Sequence, residues 1–141
     1  MYFALIPTKE HTDDLAARVG YSLVEFHLTV LFAQDRTTKI NPLDVHALWP
    51  TVPDPPRMRV GVVGVASLGP PDKKVWALLL DKPQWLVDLR TRCMELLRRY
   101  GIGWDATWNF TPHVTISKFP TITLDDHIIE NLEFDRLELR Y

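Results

Sequence analysis

The chain has 141 residues, of which 46% are hydrophobic, and a formal net charge of −2. This length suits one domain with a proper core and excludes two independent domains, although two small lobes could share that core. The slight negative charge argues against coating of long duplex nucleic acid, because such binding usually needs a basic surface.

The sequence contains no segment expected to cross or enter a membrane. No apolar run approaches the roughly 20 residues that span a bilayer, and the apolar stretch from Tyr2 to Ile6 is too short and too early for a signal peptide. We therefore expect a cytoplasmic protein without a membrane partner. The single cysteine, Cys93, excludes an intrachain disulfide, and its helical surroundings indicate a buried thiol.

The first half of the chain predicts four elements and a loop. In chain order they are a strand from Tyr2 to Ile6, a helix from Thr8 to Val19 stopped by Gly20, a strand around His27, a short helix started by Asn41 and Pro42 that runs through Val45, Leu48 and Trp49, and a stiff proline-rich loop from Trp49 to Pro56. Proline suits the first position of the short helix because its fixed φ fits there and its missing N–H would be unpaired anyway.

The second half predicts a hairpin, a long helix and two strands. In chain order they are strands from Met58 to Leu68 and from Val75 to Leu80 joined by a turn from Gly69 to Asp72, a helix from Pro83 to Tyr100 ended by Gly101, a strand entered near Asn109, and a last strand from Leu132 to Tyr141. The arginines of the long helix fall largely off its apolar stripe, which favours a solvated face over a phosphate site. They are Arg90, Arg92, Arg98 and Arg99.

Two strands in opposite halves of the chain carry the same His-x-Thr motif in an apolar run. The motifs are His27-x-Thr29 and His113-x-Thr115. Because side chains alternate faces along a strand, each histidine shares a face with its threonine, while the residues between and after them point to the core. The alternative is an ordinary half-buried strand in each case.

The four motif side chains can manage both protons of a phosphodiester cleavage. Histidine has an ordinary pKa near 6.5, so one ring can accept a proton while the other donates one. The threonine hydroxyls can donate hydrogen bonds to the non-bridging phosphate oxygens as charge concentrates there. This chemistry needs no metal and no cofactor. Which of His27 and His113 is the base stays open.

With these motifs the chain resembles the 2H phosphoesterase superfamily, which includes the RNA 2',3'-cyclic phosphodiesterases once named 2'-5' RNA ligases. The resemblance covers nearly the whole chain, and its length is similar to that of the compact phage and bacterial members. It implies an α+β fold over residues 1–141, with two pseudo-symmetric antiparallel sheet lobes and outer helices around a central cleft. Each lobe would bring one His-x-Thr to that cleft.

The resemblance also implies a metal-independent phosphodiesterase and a class of substrate. The substrate would be a small nucleotide or oligonucleotide with a 2',3'-cyclic phosphate, a 2'-5' linkage or a cyclic oligonucleotide signal. A phage origin would favour degradation of a cyclic nucleotide used in host defence (anti-CBASS). The alternatives are a module that binds RNA ends or nucleotides without cleaving them, and a protein-interaction domain in which the motif strands are structural.

Candidate substrate-binding residues are predicted with less support than the motifs, because aromatic side chains fill cores as often as they stack on bases. Those expected to line the cleft are Tyr2, Trp76, Phe110 and Glu138, with Trp108 as another candidate and Lys118 ranked low. The remaining histidines, His11, His46 and His127, are expected to be bystanders, and no third histidine stands at an obvious metal-ligand spacing.

Overall fold

The computed structural model describes residues 1–19, 25–35, 37–49, 58–105, 109–117 and 129–141. Its elements are β1 (Tyr2–Pro7), α1 (Lys9–Val19), β2 (Leu28–Phe32), α2 (Pro42–His46), β3 (Arg59–Leu68), β4 (Val75–Leu80), α3 (Gln84–Arg99), β5 (His113–Ser117) and β6 (Asn131–Arg140). The predicted α+β class is confirmed, and each element predicted within the described residues is present, but the short helix predicted through Trp49 ends at His46. The expected stop at Gly20, the loop at 50–56 and the residues Trp108, Lys118 and His127 lie outside the described part of the chain.

The two motif strands start later than their sequences predicted. His27 lies just before β2, and His113 is the first residue of β5, although that strand was expected from near Asn109. Pro112 precedes His113 and has no N–H to donate to a neighbouring strand, so the regular ladder begins only after it. Both histidines therefore lie at the entrance of their strands.

The six strands pair antiparallel and form one closed sheet in the order β1-β2-β5-β4-β3-β6. The hairpin of β3 and β4 ends with Leu68 opposite Val75, as the predicted turn requires. Gly69 in that turn has φ of 105°, and a Cβ there would lie 2.9 Å from the carbonyl oxygen of Lys73, so only glycine fits. The order of the strands places β2 and β5 side by side.

The short helix α2 starts as its sequence predicted. The side chain of Asn41 accepts a hydrogen bond from the Leu43 N–H at 3.0 Å, and Pro42 follows as the first helical residue. The phenol of Tyr100, just after α3, donates to Asp44 at 2.5 Å and joins the two helices. Among the described helices, none combines the length and apolar character needed to cross a membrane.

The long helix α3 contributes a continuous apolar stripe to the core. The buried members of this stripe are Leu86, Leu89, Cys93, Leu96 and Leu97. They confirm the predicted amphipathic pattern. Burial also raises the pKa of the Cys93 thiol, which keeps it protonated and unreactive.

Truncation of this stripe should be costly. Leu96 is 0% exposed, so Leu96→Ala should lower the free energy of unfolding by about 2–5 kcal/mol because it leaves a cavity. Urea denaturation measures this difference. Leu43→Ala is the matched control, since Leu43 is 73% exposed and should change stability by less than about 0.5 kcal/mol. Equal losses in the two variants would contradict the packing of α3.

Candidate active site

The two motifs meet across the boundary between β2 and β5. Leu28 pairs with Val114 in antiparallel register. Continued by one residue in each direction, this register sets Thr29 opposite His113 and His27 opposite Thr115 on one face of the sheet. Each histidine therefore faces the threonine of the other motif.

Side-chain burial confirms the predicted alternation along both strands. The apolar residues between and after the motif pairs are at most 1% exposed; they are Leu28, Val30, Val114 and Ile116. All four histidines and threonines of the motifs are half-buried instead. One face of each strand builds the core, and the other presents polar groups.

Both imidazole rings are held by the same backbone contact. Nδ1 of His27 lies 3.1 Å from the carbonyl oxygen of Glu25, and Nδ1 of His113 lies 2.7 Å from that of Thr111. A carbonyl oxygen can only accept, so each Nδ1 carries a hydrogen and donates it. Nε2 is then the nitrogen of each ring that is free of this contact and can take up or release a proton.

The surroundings of His27 favour its neutral form. Burial lowers the pKa of the His27 ring, and the positive charges of Arg140 and His113 lower it further, while the carbonyl and carboxylate of Glu25 oppose the shift. A neutral ring at pH 7 is the form that can act as a base.

Arg140 is a charged neighbour of His27 that the sequence analysis did not single out. It lies on β6 opposite Tyr2 and is 20% exposed, with its guanidinium 2.5 Å from a carboxylate oxygen of Glu25 and 3.0 Å from one of Glu138. The alternating pattern of the last strand predicted only a half-exposed face. That pattern does not indicate that this face lies beside β1 and the first motif.

Two predicted substrate-binding residues lie on the His27 side. The Tyr2 ring is 5.4 Å from the His27 ring and 5.6 Å from the ring of Phe32, which is 57% exposed. Glu138 receives hydrogen bonds from both Arg136 and Arg140. Tyr2 is thus brought to the motif, whereas the carboxylate of Glu138 is engaged by two arginines.

A cavity of about 810 Å³ opens on the His113 side. Thr29 and His113 line it together with Phe110, and residues 68–70 of the hairpin turn close another part of the wall. His27 and Thr115 are not among its lining residues. The cavity is therefore lined by only one of the two facing His–Thr pairs, that of His113 and Thr29.

Arg90 departs from the prediction of a solvated helix face. Arg98 and Arg99 are exposed as predicted, but Arg90 and Arg92 are half-buried. Arg90 lines the cavity, with its guanidinium carbon 5.0 Å from the centre of the Phe110 ring. A position beside the apolar stripe can face either solvent or a neighbouring loop. Only the packing of residues 109–111 against α3 distinguishes these cases.

Trp76, the remaining predicted substrate-binding residue, packs partly against the core and does not line the cavity. A register shift between Trp76 and Ala77 changes the alternation of β4 at this point. The indole Nε1 is buried and has no hydrogen-bond acceptor among the described residues. A contact of Trp76 with substrate stays a prediction.

The other described histidines lie outside this site. His46 is exposed, and Nδ1 of His11 accepts a hydrogen bond from the backbone N–H of Glu133 at 2.7 Å. Within the described part of the chain, no group of three or more His, Cys, Asp or Glu side chains is arranged to hold a metal ion.

No family model matches the chain, and no curated protein matches it either.

Removal of the Arg140 charge should change the titration of His27. In Arg140→Gln the pKa of His27 should rise, because a cation that disfavours protonation is lost and the Glu25 carboxylate is released from its ion pair. NMR titration of the His27 ring measures the shift directly.

Arg59→Gln is the control for that titration. Arg59 also pairs with a glutamate of β6, Glu133, but it does not contribute to the pKa of His27. A His27 pKa that stayed unchanged in Arg140→Gln, or moved equally in both variants, would contradict the electrostatic role of Arg140.

Proposed function

We propose that the protein is a metal-independent phosphodiesterase of the 2H type that hydrolyses a cyclic or 2'-hydroxyl-bearing nucleotide phosphodiester. The observation that carries this proposal is the antiparallel pairing of Leu28 with Val114, whose register sets each histidine opposite the threonine of the other strand. A phosphate bound at the β2–β5 boundary has one imidazole toward each end of the scissile bond and a hydroxyl donor beside each imidazole. In-line displacement at phosphorus needs this placement.

The proposed proton transfers follow from the surroundings of His27. His27 is the base, since its surroundings favour the neutral ring, and its Nε2 removes a proton from the attacking water. The water oxygen bonds to phosphorus as the bond from phosphorus to the ribose oxygen breaks. His113 donates the proton that the leaving ribose oxygen takes up, and solvent then restores both rings.

The threonines stabilise the charge that builds during this step. The hydroxyls of Thr29 and Thr115 donate hydrogen bonds to the non-bridging oxygens of the five-coordinate phosphorus. Each threonine lies opposite a fully buried alanine of the neighbouring strand, Ala4 for Thr29 and Ala77 for Thr115.

The two-lobed arrangement that the family has is part of the same proposal. The strand order supports it, because β6-β1-β2 and β3-β4-β5 can be exchanged by a two-fold axis between β2 and β5. The helix α1 links β1 to β2 as α3 links β4 to β5. Register shifts directly precede Ala4 in β1 and Ala77 in β4.

Turnover in EDTA of a panel of nucleotides tests the activity. The panel contains 2',3'-cyclic mononucleotides, 2'-5' oligoadenylate, and cyclic di- and trinucleotides. We expect cleavage of at least one member by the wild type. Folded wild-type protein that binds a member of the panel and cleaves none would overturn the proposal in favour of a non-catalytic nucleotide-binding module.

A further inference from the structure

The two sides of the active site differ at equivalent positions. Tyr2 and Val75 each stand two residues before the alanine that faces a motif threonine, and their partners on the next strand are Arg140 and Leu68. On the His27 side an aromatic ring and an ion-paired arginine occupy this place. On the His113 side the smaller Val75 and Leu68 line the cavity of about 810 Å³.

Arg90 supplies a cation to this otherwise largely apolar wall. Its Nε is buried and has no hydrogen-bond acceptor among the described residues. The Phe110 ring holds its guanidinium carbon at 5.0 Å and the ammonium of Lys82 at 5.7 Å. A buried N–H without an acceptor is costly, so this wall is suited to an acceptor from a ligand.

The charge of the cavity and the chemistry of arginine select an anion. Its charged lining residues are Lys73, Arg90 and Asp105, which carry two positive charges against one negative charge. The planar guanidinium matches the oxygens of a phosphate and is less strongly hydrated than an ammonium, so it binds phosphate well in a partly buried place. A volume of about 810 Å³ also lies in the range of small-molecule sites.

We propose that this cavity binds a second phosphate of the substrate, next along the chain from the scissile phosphodiester, with Arg90 as its ligand. The inference rests on the proposed function and narrows its substrate class. The preferred substrates are linear or cyclic oligonucleotides with at least two phosphates, rather than cyclic mononucleotides. The anion is part of the same molecule as the scissile bond, not a free phosphate ion.

Two substrates that carry the same scissile group, a 2',3'-cyclic phosphate, test this preference. They are adenosine 2',3'-cyclic phosphate and the dinucleotide ApA with a 2',3'-cyclic phosphate end, which differ by one nucleoside and one phosphate. Wild type should show a kcat/KM for the dinucleotide at least about tenfold higher, and Arg90→Gln should reduce this ratio by about 10- to 100-fold. Arg90→Lys should retain part of the preference, because lysine keeps the positive charge but cannot donate two parallel hydrogen bonds to a phosphate as the planar guanidinium does.

Arg92→Gln is the matched control. Arg92 is a half-buried arginine on the same helix that lines a different surface pocket, so the substrate ratio should stay at the wild-type value. The inference is overturned if wild type does not prefer the dinucleotide, or if Arg90→Gln and Arg92→Gln change the ratio equally. Inorganic phosphate added with the mononucleotide should not reproduce the rate of the dinucleotide.

A binding measurement separates this inference from the proposed activity. Calorimetry with pdApdA and dAMP compares two phosphates with one and requires no turnover. Wild type should bind pdApdA at least about tenfold more tightly than dAMP, and Arg90→Gln should abolish the difference. If the phosphodiesterase assay fails while this difference persists, only the activity is wrong. Equal affinities, or no binding of either nucleotide, would overturn the second-phosphate site.

Discussion

Replacement of either motif histidine by alanine is expected to lower kcat by about 10²- to 10⁴-fold on whichever nucleotide the wild type cleaves. In the proposed mechanism, His27→Ala removes the group that accepts the proton of water, and His113→Ala removes the group that supplies one to the leaving oxygen. Single-turnover assays with saturating enzyme measure the chemical step apart from product release. The double variant should lose little more than either single variant, because the two rings act in one transition state.

His46→Ala is the control for these variants, because His46 is an exposed histidine outside the site. It should keep the activity of the wild type. Circular dichroism and thermal melting establish that all three variants are folded. Retention of more than about a tenth of wild-type kcat in either motif variant would contradict the paired-histidine mechanism.

The second large effect is expected from the motif threonines. Thr29→Val and Thr115→Val each replace a hydroxyl by a methyl group of similar size, so the strands keep their packing while a donor to the phosphate is lost. We expect kcat to fall by about 10²- to 10³-fold, as for loss of one oxyanion donor. KM should change much less, because the hydrogen bond strengthens as charge develops on phosphorus.

Serine variants provide the matched comparison. Thr29→Ser and Thr115→Ser keep the hydroxyl and should retain most of the activity. Measurements of kcat and KM for all four variants on one substrate separate a catalytic hydrogen bond from a packing effect. A serine variant as impaired as its valine counterpart would show that packing, and not the hydroxyl, is what each threonine contributes.

The local elements and the faces of the motif strands could be predicted from the sequence because their signals are local. The 3.6-residue period of α3 and the two-residue period of β2 and β5 sort apolar from polar side chains within a single element. That is why the buried stripe of α3 and the outward histidines and threonines agree with prediction. The turn at Gly69 is similarly set by a backbone conformation that few other residues adopt.

The surroundings of the motifs depended on contacts between distant parts of the chain. Arg140 meets Glu25 across 115 positions, and no periodicity within β6 shows which strand will lie beside it. Trp76 illustrates the same limit. Its counterpart across the proposed two-fold axis is Phe3, which is fully buried, and the register shift beside Trp76 breaks the simple alternation of β4 at this point.

The sequence by itself determined which side chains leave the core at the two motifs, because strand alternation is a property of the backbone. Only the tertiary structure decided that each histidine faces the other motif's threonine, since this depends on the register between β2 and β5. The tertiary structure also decided that Arg90 is half-buried. A residue beside an apolar stripe meets solvent or a ligand cavity according to what packs across from it, and that packing is a long-range property of the fold.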